Sequence, residues 1–186
     1  MTYIDTLLRS AKTLIFDEQA MIEQANAEDA TGHGFLTLAL TGLTAGILAI
    51  IPAFFIQSFV LTIQKSIMIS VFGLVYSVIG TIIGFIIAYS IFHMLAKIFG
   101  GIATGSQYFR VLSNVMWIKI PLSFPFLGLL LYIFMIPYFI VLNIFVLKKV
   151  HALSWTKAVI IGLSVPIIVV VLIVTFTIFY LNDIFF

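Results

Sequence analysis

The stretches HMLAKIFGGIATGSQYFR (residues 93–110) and KKVHALSWTK (residues 148–157) are the main polar interruptions in the apolar part of this chain. They are called here the first and second polar seams. Seven cations follow residue 32, and five of them lie in the seams: Lys97, Arg110, Lys148, Lys149 and Lys157. Because cations gather in the short loops on one side of a membrane, the pattern predicts that both seams meet at the same membrane surface.

The composition of the 186 residues is that of an integral membrane protein. Hydrophobic residues make up 63% and charged residues 9%, with a mean hydropathy of +1.27. A soluble domain takes about a quarter of its residues from Asp, Glu, Lys and Arg. Lipid is therefore expected to be the solvent for most of this chain. The absence of cysteine excludes disulfides, thiolate metal sites and cysteine nucleophiles.

Residues 1–32 are predicted to form a cytoplasmic amphipathic arm. Apolar residues recur at helical spacing along it, and its two cations and six acids give a net charge of −4. Anionic headgroups repel such a charge. We therefore expect the arm to dock on the basic seams, with Leu7, Leu14 and Ile15 packing on the bundle. The alternative is a mobile arm that serves partners.

Residues 33–186 are predicted to form an all-α bundle of five transmembrane helices. Each needs about 20 apolar residues to cross the bilayer. The expected spans are about 35–60, 67–99, 107–124, 129–147 and 158–181. Glycines at small-xxx-small spacing predict close contact between the first and second spans, and these are Gly42, Gly46, Gly80 and Gly84.

The third segment is the least hydrophobic of the five, because it holds the intramembrane polar residues Asn114 and Lys119. It either crosses under the shield of its neighbours or, as residues 107–128, re-enters the side it came from. Proline favours a chain reversal near Pro125 to Gly128. Lys119 is expected to extend to the outer interface, or else to contact an anion or lipid phosphate in a bundle cavity.

The distribution of cations favours five crossings with a cytoplasmic N-terminus and an outer C-terminus. In that arrangement only Lys65 lies clearly outside. The cytoplasmic cations are then Arg9, Lys12, Lys97, Arg110, Lys148, Lys149 and Lys157.

The runs HMLAKIFGG, SQYFRVLSNVMWIKIP and VLKKVHALSWTKAVI resemble the Yip (Ypt/Rab-interacting protein) domain family over about residues 93–160. In that family a His and a Lys precede a double glycine, a Ser and an Arg precede a proline, and a Lys-x-Val-His-x-Leu-Ser-x-x-Lys-Ala loop enters the last span. The resemblance implies a five-helix membrane domain with a cytoplasmic N-terminus. The eukaryotic relatives are non-enzymatic factors of early secretory membranes that bind small GTPases and partner membrane proteins, so the resemblance implies a role of that kind.

Two departures bear on these implications. Ser106 and Arg110 are one residue closer than in the family pattern, and the arm lacks the long aromatic and glycine motifs of eukaryotic members. We therefore do not expect this chain to share the small-GTPase binding of the family. The compact form is more similar to the bacterial and archaeal branch, which implies a prokaryotic cell membrane, with the endoplasmic reticulum or Golgi membrane as the alternative.

The chemistry available inside the membrane is sparse. No acidic residue lies between Asp29 and Asp183, whereas proton-coupled carriers and aspartyl proteases of the membrane rely on buried carboxylates. Neither a His-Glu-x-x-His motif nor a supported serine nucleophile is present. We therefore predict no enzyme, no catalytic residue and no cofactor. Three interfacial histidines, His33, His93 and His151, form a zinc candidate with Glu28 or Asp29, but histidines at such places more often bond loop carbonyls, and no metal is predicted.

The sequence thus predicts a membrane-trafficking or membrane-organisation factor that binds lipids and a protein partner, or a second copy of itself, and no nucleic acid. A channel or carrier for a small solute is the alternative, with the polar third segment lining the path. The candidate cytoplasmic interaction face consists of His93, Lys97, Gly100, Gly101, Arg110, Lys148, Lys149, His151 and Lys157.

Overall fold

A computed structural model of the chain describes residues 2–58, 62–124 and 127–185. Within these ranges the chain is helical and contains no strand. The helices are α1 (Tyr3–Leu14), α2 (Glu18–Asn26), α3 (Ala30–Ser58), α4 (Ile63–Ile98), α5 (Gly105–Asn114), a 3-10 helix (Met116–Ser123), α6 (Leu127–Val150) and α7 (Trp155–Phe185).

Four of these helices are long and apolar enough to cross a membrane. The candidate spans are Ala30–Pro52, Ile63–Ile98, Leu130–Val150 and Trp155–Ile178. They correspond to the first, second, fourth and fifth predicted spans. The chain is therefore an all-helical, multi-pass integral membrane protein, as the composition predicted.

The predicted third span, 107–124, is not one continuous α-helix. It consists of α5 followed by the 3-10 helix. Thr104 caps α5 through a reciprocal capping box with Gln107. At the other end, the Asn114 side chain donates a hydrogen bond to the Arg110 carbonyl (2.7 Å), which competes with helix continuation. Pro121 then removes a backbone donor. Pro125 and Phe126, where we predicted a reversal, lie outside the described residues.

The N-terminal arm forms two helices instead of the single one predicted. Phe16 has a positive φ of 64° between them, and its ring packs on that of Phe145, with centroids 4.7 Å apart. The arm docks on the bundle, where Leu14 and Met21 are buried. The expectation that Ile15 packs there was wrong, because Ile15 is 77% exposed. It follows Leu14 directly and therefore points to another side of the chain.

Helices α3 and α4 pack closely through only one of the two predicted glycine pairs. A Cβ at Gly42 would lie 2.8 Å from Val78 Cα, and one at Gly46 would lie 2.8 Å from Leu74 Cδ1. The Ser77 hydroxyl donates to the Gly42 carbonyl across this contact (2.9 Å). A Cβ at Gly84, in contrast, would meet no other helix of the described chain within 4 Å, and one at Gly80 would meet the Tyr76 ring of its own helix at 3.9 Å. The prediction that Gly80 and Gly84 pack against α3 was wrong, because the register directs them into a cavity.

Candidate functional site at the seam end

The two polar seams meet at one end of the bundle, as predicted. The Ile102 amide donates to the His151 carbonyl (3.1 Å). The Lys157 ammonium donates to the Phe99 carbonyl at the C-terminus of α4 (2.9 Å), where a cation also meets the negative end of the helix dipole. One bond in each direction therefore holds the seams together, and we call this region the seam end.

Beneath the seams lies a buried aromatic cluster. His93 Nδ1 and His151 Nε2 are 3.3 Å apart, and the Tyr108 ring contacts the His151 ring at 5.0 Å between centroids. The Tyr108 hydroxyl donates to Asn143 Oδ1 (2.5 Å). Tyr108 and His151 are both fully buried. This cluster joins α4, α5, α6 and the second seam into one packed unit.

His151 is neutral in this environment. Burial, helped by the nearby His93 and Lys97, lowers the pKa of His151 from 6.5 to about 4. Its Nδ1 atom has no hydrogen-bond partner among the described residues.

The two adjacent glycines are required for different reasons, Gly100 for its backbone conformation and Gly101 for the close approach of the His151 ring. Gly100 has a φ of +90°, a conformation that favours glycine at the end of a helix. A Cβ at Gly101 would lie 2.6 Å from His151 Nδ1 and 2.8 Å from the Ala96 carbonyl oxygen. Gly101 and His151 were predicted within an interaction face, but both are buried and therefore lie beneath the surface.

Arg110 and Lys149 bind the arm. Arg110 Nε donates to Thr31 Oγ1 (2.7 Å) and its Nη1 donates to the Ala25 carbonyl (3.0 Å). Lys149 forms an ion pair with Glu18. These two cations of the predicted interaction face thus hold α2 and the start of α3 against the bundle.

The remaining predicted cations differ in their surroundings. Lys148 lies over the Trp155 ring, with Nζ 3.9 Å from its centroid, a cation–π arrangement. Lys97 and Lys157 are exposed. Beside them the side chains of Ile98 and Ile102 are 70% and 73% exposed. The tip surface is defined as Lys97, Ile98, Gly100, Ile102 and Lys157.

The three histidines do not assemble. His33 lies with the arm, where its Nδ1 is 2.7 Å from the Thr6 hydroxyl and its ring meets Tyr3 edge-on. Only His93 and His151 pair. Throughout the described ranges, no group of three or more His, Asp or Glu side chains is placed to hold a metal ion.

The two predicted intramembrane polar residues lie in different surroundings. Asn114 is buried and donates to the Ala30 carbonyl (2.8 Å), which ties α5 to the start of α3. Lys119 lies over the Phe139 ring, 5.1 Å from its centroid, and lines the large cavity.

Sequence reasoning did not single out Tyr108 and Asn143, although both belong to the buried cluster. Asn143 carried a usable signal, because an amide within the apolar run 129–147 requires a hydrogen-bond partner in a membrane. Tyr108 carried none, because tyrosine is common at membrane interfaces.

Fold and site together define a multi-pass helical membrane protein with a packed basic end. The chain matches the model of the Yip1 domain family over residues 13–177. It therefore belongs to the Yip1 domain family, which extends the resemblance of the seams to nearly the whole chain. No curated protein and no solved structure gives a significant match.

Proposed function

We propose that this protein is a non-enzymatic membrane-organisation or trafficking-type factor that binds a protein partner through the tip surface. The observation that carries the proposal is the pairing of two exposed isoleucines with two exposed lysines on a rigidly packed base. Exposed apolar groups beside charges are typical of binding surfaces. The partner segment that fits this surface is apolar with acidic residues at its edge.

The seam end is on the aqueous side of the interface in this proposal. Helix α2 docks there through Ala25 and Glu18, and its Glu18 and Glu23 are exposed. Carboxylates are costly in hydrocarbon. The tip surface therefore meets water or headgroups, where a soluble or peripheral partner reaches it.

The same proposal includes five crossings with the N-terminus in the cytoplasm, in a prokaryotic cell membrane. The Ile102–His151 bond puts the chain before α5 at the same end as the chain after α6. If α6 crosses the membrane, the segment before it must cross in the other direction. Helix α5 at about 1.5 Å per residue and the 3-10 helix at about 2 Å per residue together rise roughly 31 Å, about the thickness of the hydrocarbon core.

Helix α1 is proposed to lie along the interface with its outer side in the acyl chains. Its apolar Ile4 and Leu8 are exposed, as is Ile15 directly after it. Its hydroxyl residues are buried against the protein, and these are Thr6, Ser10 and Thr13. In a soluble protein the apolar side of a helix is buried and the polar side is exposed. The opposite arrangement is expected for a helix whose surroundings are more apolar than the bundle surface on which it packs.

No catalytic or transport role is proposed. Neither His93 nor His151 is hydrogen-bonded to a carboxylate in the described part of the chain, so no acid orients the pair. The carrier alternative relied on the polar third segment. Asn114 of that segment already bonds the Ala30 and Arg110 carbonyls, so it gives no support to a solute path.

Cysteine labelling tests the topology. Single cysteines replacing Gln64, Ile102, Ser154 and Asn182 should react with an impermeant maleimide from outside only at positions 64 and 182. Ile102→Cys is preferable to a change at Gly101, because Ile102 is exposed whereas Gly101 contacts His151. Outside labelling of Ser154→Cys would contradict the proposed orientation.

Photo-crosslinking tests the partner surface. A photo-reactive residue at position 102 should give a discrete protein adduct in native membranes, and Lys97→Glu or Ile98→Ser should remove it. Lys65→Glu is the matched control, since Lys65 is an exposed cation at the other end of α4. An adduct that persists in all variants, or no adduct at all, would count against the tip surface.

A further inference from the structure

A cavity of about 780 Å³ lies between α3, α4, the 3-10 helix, α6 and α7. Its volume is within the range of about 300–1,000 Å³ that is typical of small-molecule sites. Small residues make the space, among them Ala45, Ala49, Gly80, Gly84 and Ala88. A Cβ at Gly84 would meet nothing within 4 Å. Gly80, Gly84 and Ala88 follow one another at four-residue spacing, so the wall of α4 is recessed over about two helical turns.

The cavity reaches the outer surface of the bundle. Tyr132 and Ile136 of α6 line it and are 49% and 52% exposed. Both belong to a candidate membrane span, so the opening faces the lipid bilayer. A molecule that enters from this direction comes from the bilayer, not from water.

One cation, one amide and several hydroxyls stand in otherwise apolar walls. The Lys119 side chain lines the cavity and is accessible. No carboxylate pairs with it among the described residues, and the sequence between Asp29 and Asp183 contains none. The Thr41 hydroxyl, which also belongs to the lining, is buried without a hydrogen-bond partner in the described part of the chain. Ser123 and Tyr132 add two further hydroxyls.

We propose that this cavity binds one acidic phospholipid, with its phosphate at Lys119 and an acyl chain in the recess along Gly80 and Gly84. Lysine binds phosphate as a point charge, and the hydroxyls of Ser123 and Tyr132 are available to the other phosphate oxygens. Lys119 lies four residues before the end of the 3-10 helix, about 8 Å along the axis. A headgroup that enters the outer interface can reach this depth. The lipid site is independent of the tip surface and its partner.

Native mass spectrometry of the full chain in detergent tests this site, with phosphatidylglycerol and phosphatidylcholine of identical acyl chains as probes. The protein should retain one phosphatidylglycerol at least about tenfold more strongly than phosphatidylcholine. Both lipids carry a phosphodiester, but the choline group adds a positive charge that Lys119 repels, so the net charge of the headgroup separates them. Lys119→Met should remove the preference, and Lys119→Arg should keep it. Equal retention of the two lipids, or retention unchanged by Lys119→Met, would overturn the proposal.

Two glycine variants separate binding from folding. Gly84→Leu should fill the recess and weaken phosphatidylglycerol binding about tenfold or more. Gly73→Leu is the control, because Gly73 is also on α4 with nothing within 4 Å but does not line the cavity. It should bind like the native protein. Identical lipid binding by both variants would contradict the assignment, as would saturation by oleate with no binding of phosphatidylglycerol, since the occupant would then be a fatty acid.

Discussion

The seam end and the cavity half of the bundle both contain glycines in their walls, but the two regions are packed in opposite ways. At the seam end, a methyl group on Gly101 would overlap the buried His151 ring, whereas one on Gly84 would meet no atom within 4 Å. At the seam end Tyr108 is hydrogen-bonded to Asn143, although His151 Nδ1 has no partner there. In the cavity, Lys119 and Thr41 both stand without a hydrogen-bond partner among the described residues. The comparison indicates that one end is built to stay fixed and the other to accommodate a molecule.

The largest effect is expected from alanine at the two glycines. Gly101→Ala should lower the free energy of unfolding by roughly 3 kcal/mol, because neither the buried ring nor the Ala96 carbonyl can move easily. Gly84→Ala should leave it unchanged or raise it by up to about 1 kcal/mol, since alanine favours the helix. Denaturant unfolding in detergent micelles measures both. Equal losses in the two variants would mean that the halves do not differ in packing.

The next effect concerns the buried hydroxyl of the seam end. Tyr108→Phe leaves Asn143 Oδ1 without this donor, which should cost about 1–2 kcal/mol of stability. Tyr76→Phe is the matched control on α4, because Tyr76 is 79% exposed and should tolerate the change. Denaturant unfolding measures this effect as well. If Tyr108→Phe is as stable as the control, the hydrogen bond to Asn143 does not contribute to the stability of the seam end.

Acidification should loosen the seam end. The pKa of His151 is about 4 in the folded protein and 6.5 when unperturbed, so the unfolded chain binds the extra proton first as the pH falls. Stability is therefore full above pH 6.5 and declines toward pH 4, with roughly 1 kcal/mol lost at about pH 5.5. His151→Gln should flatten this part of the profile. A profile that keeps its slope in His151→Gln would assign the acid sensitivity to another group.

The sequence predicted the parts of this structure that depend on composition and on charge. The four apolar helices and the meeting of the seams follow from run length and from the cations at Lys97, Lys148 and Lys157. The sequence could not predict which side of a helix faces its neighbour. Gly42 and Gly84 occur at the same small-xxx-small spacing, yet only Gly42 faces the neighbouring helix, because spacing does not say which side a partner occupies.

The direction of each side chain also determines which residues of the predicted interaction face are exposed. His151 and Lys157 belong to the same seam, but the His151 ring is buried whereas Lys157 is exposed. The break at Phe16 could not be predicted either, since a phenylalanine with positive φ is uncommon and the packing of its ring on Phe145 and Tyr138 stabilises it there. Both features arise from tertiary contacts between residues far apart in the chain.

The smallest effect is expected at the ion pair between the arm and the seam end. Glu18 and Lys149 are partly exposed, and such pairs contribute about 0–1 kcal/mol and weaken in salt. The buried Leu14 and Met21 should therefore keep α2 docked when the pair is removed. In Glu18→Gln, spin labels at Gln19 and Ser154, both exposed, should report a distance distribution only slightly broader than in the native arm. Glu28→Gln, which removes an exposed charge of the same sign, should have no effect. Release of the arm by Glu18→Gln, or by high salt alone, would show that charge supplies the affinity, and the arm would then be a mobile element of the seam end.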